Sequence, residues 1–464
     1  MRKPRRVATY LLVIGCLFCL LNFTVRFLRE VPNIRPAYSG SIVWQWSRLD
    51  EQIHQSQTEQ NSTRVALVNV SLNVVSDAKF RRFIHRINSV QLVRNEDQFG
   101  KLPSPSDPNL STAPDSAFVI QIHSRLENLR LLIESLKRVK YIESSLLVFS
   151  TDFVSDDLID LIESVRFART IQIYYPHSNQ AFPDTFPGSS SGDCTGKLSR
   201  EMAERLGCSN AKWMDKYSQY RDPSIVQAKH HWLWKIRFVF EHLVALSHYD
   251  RNVIFLEEDY YVVEDILHVL RLVERQLNVS EPSGIVSFGS YAAQQTYTSN
   301  EVNTEYWVSS RDNMGMGISR AMWRNLSTCL KLFCQFDDYN WDWSLYEVST
   351  HCIPNHLKVL QFPSATRVYH LGTCNGLHHL NVNCSVQEQA LILTQRLSGP
   401  VAGRLYPPVL NIKPMSTKRM LKFRANGGWA DPRDHALCQS MANASWNSSL
   451  LLWAPQLTAH SPIY

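Results

Sequence analysis

Phe255-Leu256-Glu257-Glu258-Asp259-Tyr260-Tyr261-Val262 decides the fold, because an apolar run ends there abruptly on three carboxylates. Residues 252–256 predict a short core strand of a parallel sheet, since burial of both faces requires a continuous apolar run. Strand alternation would point Glu257 and Asp259 to one side and Glu258 to the other. Carboxylates at such a strand end suit Mg2+ or Mn2+ that also holds a diphosphate, and an acidic turn is the simpler alternative.

Upstream of this stretch, segments with strand and helix patterns alternate along the chain. Strands are predicted at 117–122, 146–149 and 171–175, and helices are predicted between them at 126–136 and 158–165. Strands that alternate with helices imply a parallel sheet with right-handed crossovers. The predicted fold class is therefore α/β, with a Rossmann-like, mostly parallel sheet flanked by helices.

In such sheets ligands bind beyond the carboxyl ends of the strands. The polar residues predicted there are Gln121, His123, Ser124 and Arg125 after one strand and Asp152 after the next. Arg125 could pair with a phosphate, and Asp152 could accept a hydrogen bond from a base or a ribose. No glycine-rich dinucleotide motif or P-loop occurs, so a divalent cation must carry the phosphate charge.

The composition excludes a disordered chain and gives little support for nucleic-acid binding. The 464 residues are 44% hydrophobic, which is enough for a sizeable core. The net charge of +6 comes from 48 basic and 42 acidic residues that are dispersed along the chain, without a basic stripe interleaved with aromatic residues. The 11% aromatic content suits stacking on sugars or on a base, although large cores use the same residues.

The N-terminus predicts a membrane anchor. Basic residues at 1–6 precede an apolar run at 7–25, which is long enough to span a bilayer, and no small-residue cleavage site marks a signal peptide. Positive charge before the span keeps the tip cytosolic, which is type II topology. We expect a cytosolic tip at 1–6, a transmembrane helix at 7–25, an unpacked stem at 26–115 with a helix near 77–92, a lumenal catalytic domain at 116–440 and a tail at 441–464.

Sequons and cysteines agree with a location in the secretory pathway. Outside the apolar run, eight Asn-x-Ser/Thr sequons begin at Asn61, Asn69, Asn109, Asn278, Asn325, Asn383, Asn443 and Asn447. Of the ten cysteines two lie in the apolar run, and the remaining even number allows four disulfides in an oxidising compartment. A zinc site is disfavoured because the eight cysteines outside the apolar run contain no Cys-x2-Cys spacing.

The stretch Gln227-Ala228-Lys229-His230-His231-Trp232-Leu233-Trp234-Lys235 predicts the start of a helix of about five turns that leads into the key strand. Its pattern fits a buried aromatic helix with two incidental histidines as well as it fits a ligand contact. Lys229 near a helix start is unfavourable for the helix dipole, which favours an anion nearby.

Downstream, residues 335–343 form a dense acidic and aromatic patch. Asp342 is flanked by two tryptophans there, and desolvation can raise the pKa of such a carboxyl, as a general base for a sugar hydroxyl requires. Acidic helix capping is the alternative. His370 precedes a glycine turn, a pattern that is more typical of a structural histidine than of a metal ligand.

Four groups of residues together resemble the N-acetylglucosaminyltransferase II family. They are Phe-Leu-Glu-Glu-Asp at 255–259, Lys-His-His-Trp at 229–232, Tyr-Asn-Trp-Asp-Trp at 339–343, and Asn-Gly-Gly-Trp at 426–429 with Arg-Asp-His at 433–435. The likeness covers about residues 118–438. It implies a GT-A fold in a Golgi membrane enzyme that transfers GlcNAc from UDP-GlcNAc, with inversion, to the 2-hydroxyl of the α-1,6-arm mannose of a hybrid N-glycan.

The resemblance also implies roles for individual residues. Asp259 and His370 would ligate Mn2+, and Asp342 would be the base. Substrate contacts would come from Gln121, Ile122, His123, Ser124, Arg125, Asp152, Gln227, Ala228, Lys229, His230, His231, Glu257, Gln294 and Trp341. Gln294 stands where the family pattern has Arg, so a charged contact is expected to be lost. The implied disulfides are Cys194 with Cys208, Cys329 with Cys352, Cys334 with Cys438, and Cys374 with Cys384.

Alternatives to this function stay open at this point. One is a related Golgi GlcNAc-transferase with a different acceptor, because acceptor choice lies in loops. Another is a catalytically silent Golgi glycan-binding protein, which the presence of both Asp259 and Asp342 disfavours. The expected partners are UDP-GlcNAc, an N-glycan acceptor on glycoproteins and the Golgi membrane, without nucleic acid, and a homodimer is left open.

Overall fold

A computed structural model describes residues 77–276, 284–291, 295–372, 385–416 and 423–443. The strands are β1 (Val93–Arg94), β2 (Ser116–Ile122), β3 (Ser145–Thr151), β4 (Arg169–Tyr174), β5 (Gly196–Lys197), β6 (Gln219–Tyr220), β7 (Val253–Glu257), β8 (Tyr260–Val262), β9 (Ile285–Ser287), β10 (Glu301–Tyr306), β11 (Met316–Ile318), β12 (Lys358–Gln361), β13 (Val368–His370) and β14 (Asn411–Met415). The α-helices are α1 (Asp77–Val90), α2 (Glu96–Phe99), α3 (Leu126–Leu136), α4 (Asp156–Glu163), α5 (Arg200–Arg205), α6 (Pro223–Arg237), α7 (Ile266–Gln276), α8 (Ser309–Asp312), α9 (Arg320–Ser327), α10 (Leu330–Gln335), α11 (Trp341–His351), α12 (Val386–Ser398) and α13 (Pro432–Ala442).

The described residues build one large sheet of ten strands in the order β1-β4-β3-β2-β7-β11-β9-β12-β10-β14. Its four central strands, β4, β3, β2 and β7, run parallel, whereas β11 runs antiparallel to β7 and β9. Every residue of β3 is buried, because a parallel strand in the middle of the sheet has both faces covered. This is the predicted α/β architecture with a mostly parallel sheet.

Two helical layers cover the sheet, and the residues of β2 alternate between them. Ala117 and Val119 pack into the core shared with α6, α9, α10, α11 and α13. Phe118, Ile120 and Ile122 pack into the core shared with α3, α4 and α7. Burial of such side chains contributes about 1.5–3 kcal/mol each, so these two cores provide most of the stabilisation. The predicted strands at 117–122, 146–149, 171–175 and 252–256 and the two predicted helices between them are confirmed, with ends that shift by at most two residues.

The segment from α1 onward differs from the unpacked stem predicted for it. The predicted helix exists, but Ile84 and Ile87 are buried at the spacing of one helical face. The side chain of Asn88 donates to the carbonyl oxygen of Tyr174 in β4 at 2.7 Å and accepts from the same residue's N–H at 2.8 Å. Because β1 then pairs with β4, the chain from α1 belongs to the packed unit.

The predicted tip, anchor and most of the stem, residues 1–76, lie outside the described residues, as do Gln294 and the tail from 444. In the described ranges no helix is both long enough and apolar enough to cross a membrane. Three of the four implied disulfides are formed: Cys194–Cys208, Cys329–Cys352 and Cys334–Cys438. Cys374 and Cys384 are not among the described residues.

Candidate active site

A cleft of about 590 Å³ opens at the carboxyl edge of the parallel strands. Gln121 and Glu257 are direct neighbours in the register of β2 and β7, and Asp152 follows the end of β3. The chain therefore brings the polar ends of three central strands to one place, as the sequence predicted. The predicted residues that line the cleft are Gln121, His123, Arg125, Asp152, Gln227, Ala228, Glu257, Asp259, Trp341 and His370.

Asp152 is the centre of a hydrogen-bonded group on one side of the cleft. Its Oδ1 lies 2.8 Å from Nδ1 of His123, and its Oδ2 accepts from Nε2 of Gln227 at 2.9 Å. Nδ1 of the fully buried His231 lies 3.4 Å from the same Oδ2, and its Nε2 lies 2.8 Å from Oγ of Ser150. Burial alone would raise the pKa of Asp152, but the hydrogen bond with His123 and the close approach of the His231 ring outweigh it and lower the pKa to about 2. Asp152 is therefore an oriented anion, and His231 acts by positioning it.

The three carboxylates after the key strand do not divide as strand alternation predicts. The strand β7 ends at Glu257, and the next two residues form a turn, so the alternation stops there. Glu258 accepts from the backbone N–H of His123 at 2.8 Å and from Nε of Arg125 at 2.9 Å. Asp259 accepts from Nη1 of the same arginine at 2.7 Å. Glu258 and Asp259 thus share Arg125, whereas Glu257 turns to the other wall and accepts from Nε1 of Trp341 at 3.2 Å.

Asp259 and His370 form the candidate metal site. The antiparallel pair β8–β13 brings them together, and Oδ2 of Asp259 lies 3.3 Å from Nε2 of His370. Oδ1 of Asp259 is buried and has no hydrogen-bond partner within the described ranges, which is the state expected of an oxygen kept for a cation. No group of three or more acidic, histidine or cysteine side chains that could hold a metal occurs among the described residues. Two ligands from the protein would leave the other positions to oxygens of a ligand, so the residues present fit a Mn2+ that binds together with a diphosphate.

Gly372 packs directly against these two side chains. A Cβ at this position would lie 2.1 Å from Oδ2 of Asp259 and 2.8 Å from Cε1 of His370. Both contacts are shorter than van der Waals contact. Only glycine therefore leaves the pair in place.

Trp341 and Asp342 begin helix α11 at the wall opposite Asp259. The indole of Trp341 stacks on Trp232 with 4.8 Å between ring centroids and an interplanar angle of 6°. Together with the bond to Glu257, this stacking fixes the first turn of the helix beside the cleft.

The carboxylate of Asp342 is held by two side chains that the sequence analysis did not identify. Its Oδ2 accepts from Oγ of Ser309 at 2.8 Å and from Nδ2 of Asn313 at 2.7 Å. Burial raises the pKa of Asp342, and these two hydrogen bonds oppose the rise. Asp342 does not line the cleft, but the hydroxyl of Tyr291, which does, donates to Oδ1 of Asn313 at 3.2 Å. The arrangement offers an oriented carboxylate with raised proton affinity, which Asn313 and Tyr291 connect to the lining of the cleft.

The sequence profile of the family N-acetylglucosaminyltransferase II (MGAT2) matches residues 81–438. The chain belongs to this family. It is 34% identical over 366 residues to alpha-1,6-mannosyl-glycoprotein 2-beta-N-acetylglucosaminyltransferase of Sus scrofa, with 78% of this chain and 79% of the relative covered. The enzyme of the same name from Rattus norvegicus is 37% identical over 369 residues, covering 78% and 80%. That from Arabidopsis thaliana is 28% identical over 455 residues, covering 95% and 96%.

Members of the N-acetylglucosaminyltransferase II family act on a nucleotide-sugar donor and a glycan acceptor. At the cleft, Arg125 and Asp152 follow strands β2 and β3, Gln227 comes from α6, and Tyr339 and Trp341 come from the start of α11 and the residues before it. Tyr291, Tyr339, Asn340 and Tyr369 also line the cleft. None of them was among the predicted contact residues, although Tyr339 and Asn340 belong to the motif at 339–343.

The structure places Lys229 and His230 inside the protein and away from the cleft. Helix α6 begins at Pro223, capped by Asp222, so Lys229 is not near the helix start and the dipole argument for a bound anion is wrong. The ammonium of Lys229 donates to the carbonyl oxygens of Phe336 and Asp338 at 3.1 and 2.8 Å and lies 3.9 Å from the ring centroid of Trp429. His230 is likewise buried.

Three other predicted contact residues do not line the cleft. His231 is fully buried against Asp152. Ile122 is fully buried and belongs to the core under α3. Ser124 is exposed in the loop that Glu258 holds, but it is not one of the residues that line the cleft.

Proposed function

We propose that this protein transfers GlcNAc from UDP-GlcNAc in β-1,2 linkage to the α-1,6-arm mannose of N-glycans, which converts hybrid to complex glycans. The observation that carries the proposal is the cleft of a chain of this family, where Asp259 and His370 face the segment that holds Trp341 and Asp342. The β-1,2 linkage and the α-1,6 arm come from the names of the relatives. The sheet and its carboxyl-edge cleft support a GT-A fold.

Donor binding would use the groups around Asp152. His123 and Gln227 hold the carboxylate of Asp152 in one orientation. In that orientation the carboxylate accepts hydrogen bonds from the base or the ribose of the donor. Arg125 borders the diphosphate position, because its guanidinium already lies between Glu258 and Asp259. Asp259 and His370 would hold Mn2+, and the ion, when bound, neutralises charge on the departing diphosphate.

The transfer itself is a single displacement at the anomeric carbon of GlcNAc. As the mannose 2-hydroxyl oxygen attacks C1, Asp342 takes the proton of that hydroxyl. The new O–C1 bond forms while the C1–O bond to UDP breaks, and UDP leaves with the electron pair. One displacement inverts the configuration and needs no nucleophile from the protein.

The proposed location is the Golgi membrane, with a single type II span at 7–25 and the catalytic unit in the lumen. The basic residues 1–6, the long apolar run and the sequons support it. The three disulfides agree with an oxidising compartment.

The full-length protein, incubated with UDP-GlcNAc and a hybrid N-glycan bearing GlcNAc on its α-1,3 arm, tests the function. We expect one β-1,2-linked GlcNAc on the α-1,6-arm mannose with Mn2+ and none with EDTA, with activity restored by added Mn2+. Linkage analysis of the product by NMR is the measurement. Addition to another sugar would indicate a related transferase, and UDP binding without transfer to any glycan would indicate a glycan-binding protein.

Asn313→Ala is expected to shift the acidic side of the pH dependence of kcat to higher pH. The hydrogen bond from Asn313 lowers the pKa of Asp342, so its loss raises that pKa further. Because the base works only when deprotonated, the fall in kcat on acidification should begin at a higher pH than in the unmodified protein. Asn303→Ala, in β10 and away from the cleft, is the control. If the fall of kcat at acidic pH is unchanged in Asn313→Ala, that fall does not report the protonation of Asp342.

A further inference from the structure

A separate cavity of about 540 Å³, here called the basic pocket, is lined by three cationic side chains and by no acidic one. Its lining residues are Lys197, Lys216, Tyr217, Ser218, Gln219, Arg424, Ala425 and Asn426. The proposed reaction uses none of them. They come from three separate segments of the chain, so no motif in the sequence marks them.

The walls of the basic pocket are cross-linked to one another. Lys197 pairs with Gln219 in the two-stranded sheet β5–β6, and the side-chain amide of Gln219 donates to the carbonyl oxygen of Asn426 at 2.9 Å. Below them, the buried Asp215 accepts from the backbone N–H groups of Tyr217 and Gln219, each at 2.7 Å. The backbone that carries the cations is therefore fixed in place.

The charged groups themselves remain exposed. The ammonium of Lys216 and the guanidinium carbon of Arg424 lie 5.1 and 4.6 Å from the centroid of the same Tyr217 ring. Within the described ranges neither group, nor Lys197, forms an ion pair with a carboxylate. The face of the Tyr217 ring offsets part of the repulsion between Lys216 and Arg424, and a bound anion would offset the remaining repulsion. The neighbouring acids Asp215 and Asp337 are turned to backbone N–H groups instead.

The basic pocket lies one loop away from the active-site cleft. The backbone and side-chain N–H groups of Asn426 donate to Oδ2 of Asp338 at 2.8 and 3.0 Å, and Oδ1 of Asp338 accepts from the backbone N–H of Asn340 at 2.9 Å. Tyr339 and Asn340 line the cleft directly before Trp341. If the acceptor glycan enters the cleft over Tyr339 and Asn340, its polypeptide lies near the basic pocket.

We propose that the basic pocket binds carboxylate side chains of an acidic polypeptide segment next to the glycosylated asparagine of the acceptor. The inference rests on the proposed function, which makes a glycoprotein the acceptor. Arginine pairs with carboxylates through two parallel hydrogen bonds, and lysine adds a mobile charge, so the two types together fit a variable acidic sequence. An anionic membrane surface fits less well, since clusters that bind it usually hold four to eight cations.

The test compares the full-length protein with the triple variant Lys197→Gln, Lys216→Gln and Arg424→Gln. Three acceptors carry the same hybrid glycan. In the first it is attached to a peptide with flanking Asp and Glu, and in the second to the same peptide with Asn and Gln in their place. The third is the free glycan. For the unmodified protein at low salt we expect a KM for the acidic glycopeptide about five- to tenfold below that for the neutral one, with equal kcat. The triple variant and 0.5 M NaCl should each abolish this preference, and neither should change the KM for the free glycan.

A matched control removes the same charge from exposed positions on and just after α3, through Arg130→Gln, Lys137→Gln and Lys140→Gln. This control should keep the preference. Equal KM values for both glycopeptides, or a preference that both triple variants lose alike, would overturn the proposal. Two further results would also overturn the proposal. In one, the protein prefers a sulfated free glycan but shows no preference for the acidic glycopeptide. In the other, the triple variant of the basic pocket loses only the binding of anionic vesicles.

A binding experiment separates an error in the proposed function from an error in the proposal for the basic pocket. If no acceptor were glycosylated, fluorescence anisotropy of the labelled acidic peptide without glycan would still measure the pocket. Binding that the pocket variant loses and the control variant keeps supports the site. Binding that is equal in both variants contradicts it.

Discussion

Asp342→Asn is expected to lower kcat by about 10²- to 10⁴-fold and to leave UDP binding unchanged. The amide has nearly the shape of the carboxylate, so Ser309 and the first turn of α11 keep their places, but it cannot take the proton of the attacking hydroxyl. The groups around Asp152, to which we assign donor binding, form no hydrogen bond with Asp342 and are not altered. Single-turnover transfer from UDP-GlcNAc and calorimetric titration with UDP measure the two effects separately.

Glu347→Gln is the matched control for this variant. Glu347 lies on the same helix and pairs with His351, away from the lining of the cleft, and the change is again carboxylate to amide. Its kcat should stay within about twofold of the unmodified protein, because exposed pairs of this kind contribute little. Transfer at the normal rate by Asp342→Asn would remove Asp342 from the mechanism.

Asp434→Asn is expected to lower the free energy of unfolding by about 3–5 kcal/mol. The carboxylate is fully buried in α13, where it accepts from Nε of Arg221 at 2.8 Å and from Nη2 at 3.1 Å, and it lies 3.0 Å from Nε2 of His230. An amide in its place would leave the buried guanidinium without a counter-charge. At about 2–3 °C per kcal/mol, the midpoint of thermal unfolding should fall by roughly 6–15 °C.

This loss of stability should depend on pH. Burial would raise the pKa of Asp434, but Arg221 and His230 outweigh it and hold the pKa well below its usual range. A depressed carboxyl pKa stabilises the fold above the pKa of the unfolded chain, about 4, and this contribution disappears as pH falls further. The two proteins should therefore differ most near pH 7 and progressively less below pH 4. Asp184→Asn, at an exposed site, is the control, and a midpoint shift as small as its own would contradict a buried ion pair of this strength.

The strands were predictable because burial of both faces leaves a local trace in the sequence. A run such as Val253 to Leu256 is apolar throughout, and its polar end marks where ligands meet the sheet. The same reasoning could not separate His231, which positions Asp152, from Lys229 and His230, which are internal. Their partners are more than 70 residues away along the chain, and periodicity contains no information on them.

The surroundings of Asp342 were unpredictable for a similar reason. Ser309 and Asn313 belong to or follow a four-residue helix with no motif of its own. For Glu257, Glu258 and Asp259 the sequence located the residues correctly but not the directions of their side chains. The alternation rule for strands stopped applying where β7 ends and a turn begins. A local rule holds only for as long as its element continues.

The close packing at Gly372 has a consequence for interpreting natural variation. A change from glycine to alanine or serine is conventionally scored as mild, because it adds few atoms and no charge. Here a single methyl group would collide with both Asp259 and His370 and push them apart, while every polar group of the cleft stayed in the sequence. Missense alleles at codon 372 should therefore be ranked with those that replace Asp259 or His370 themselves.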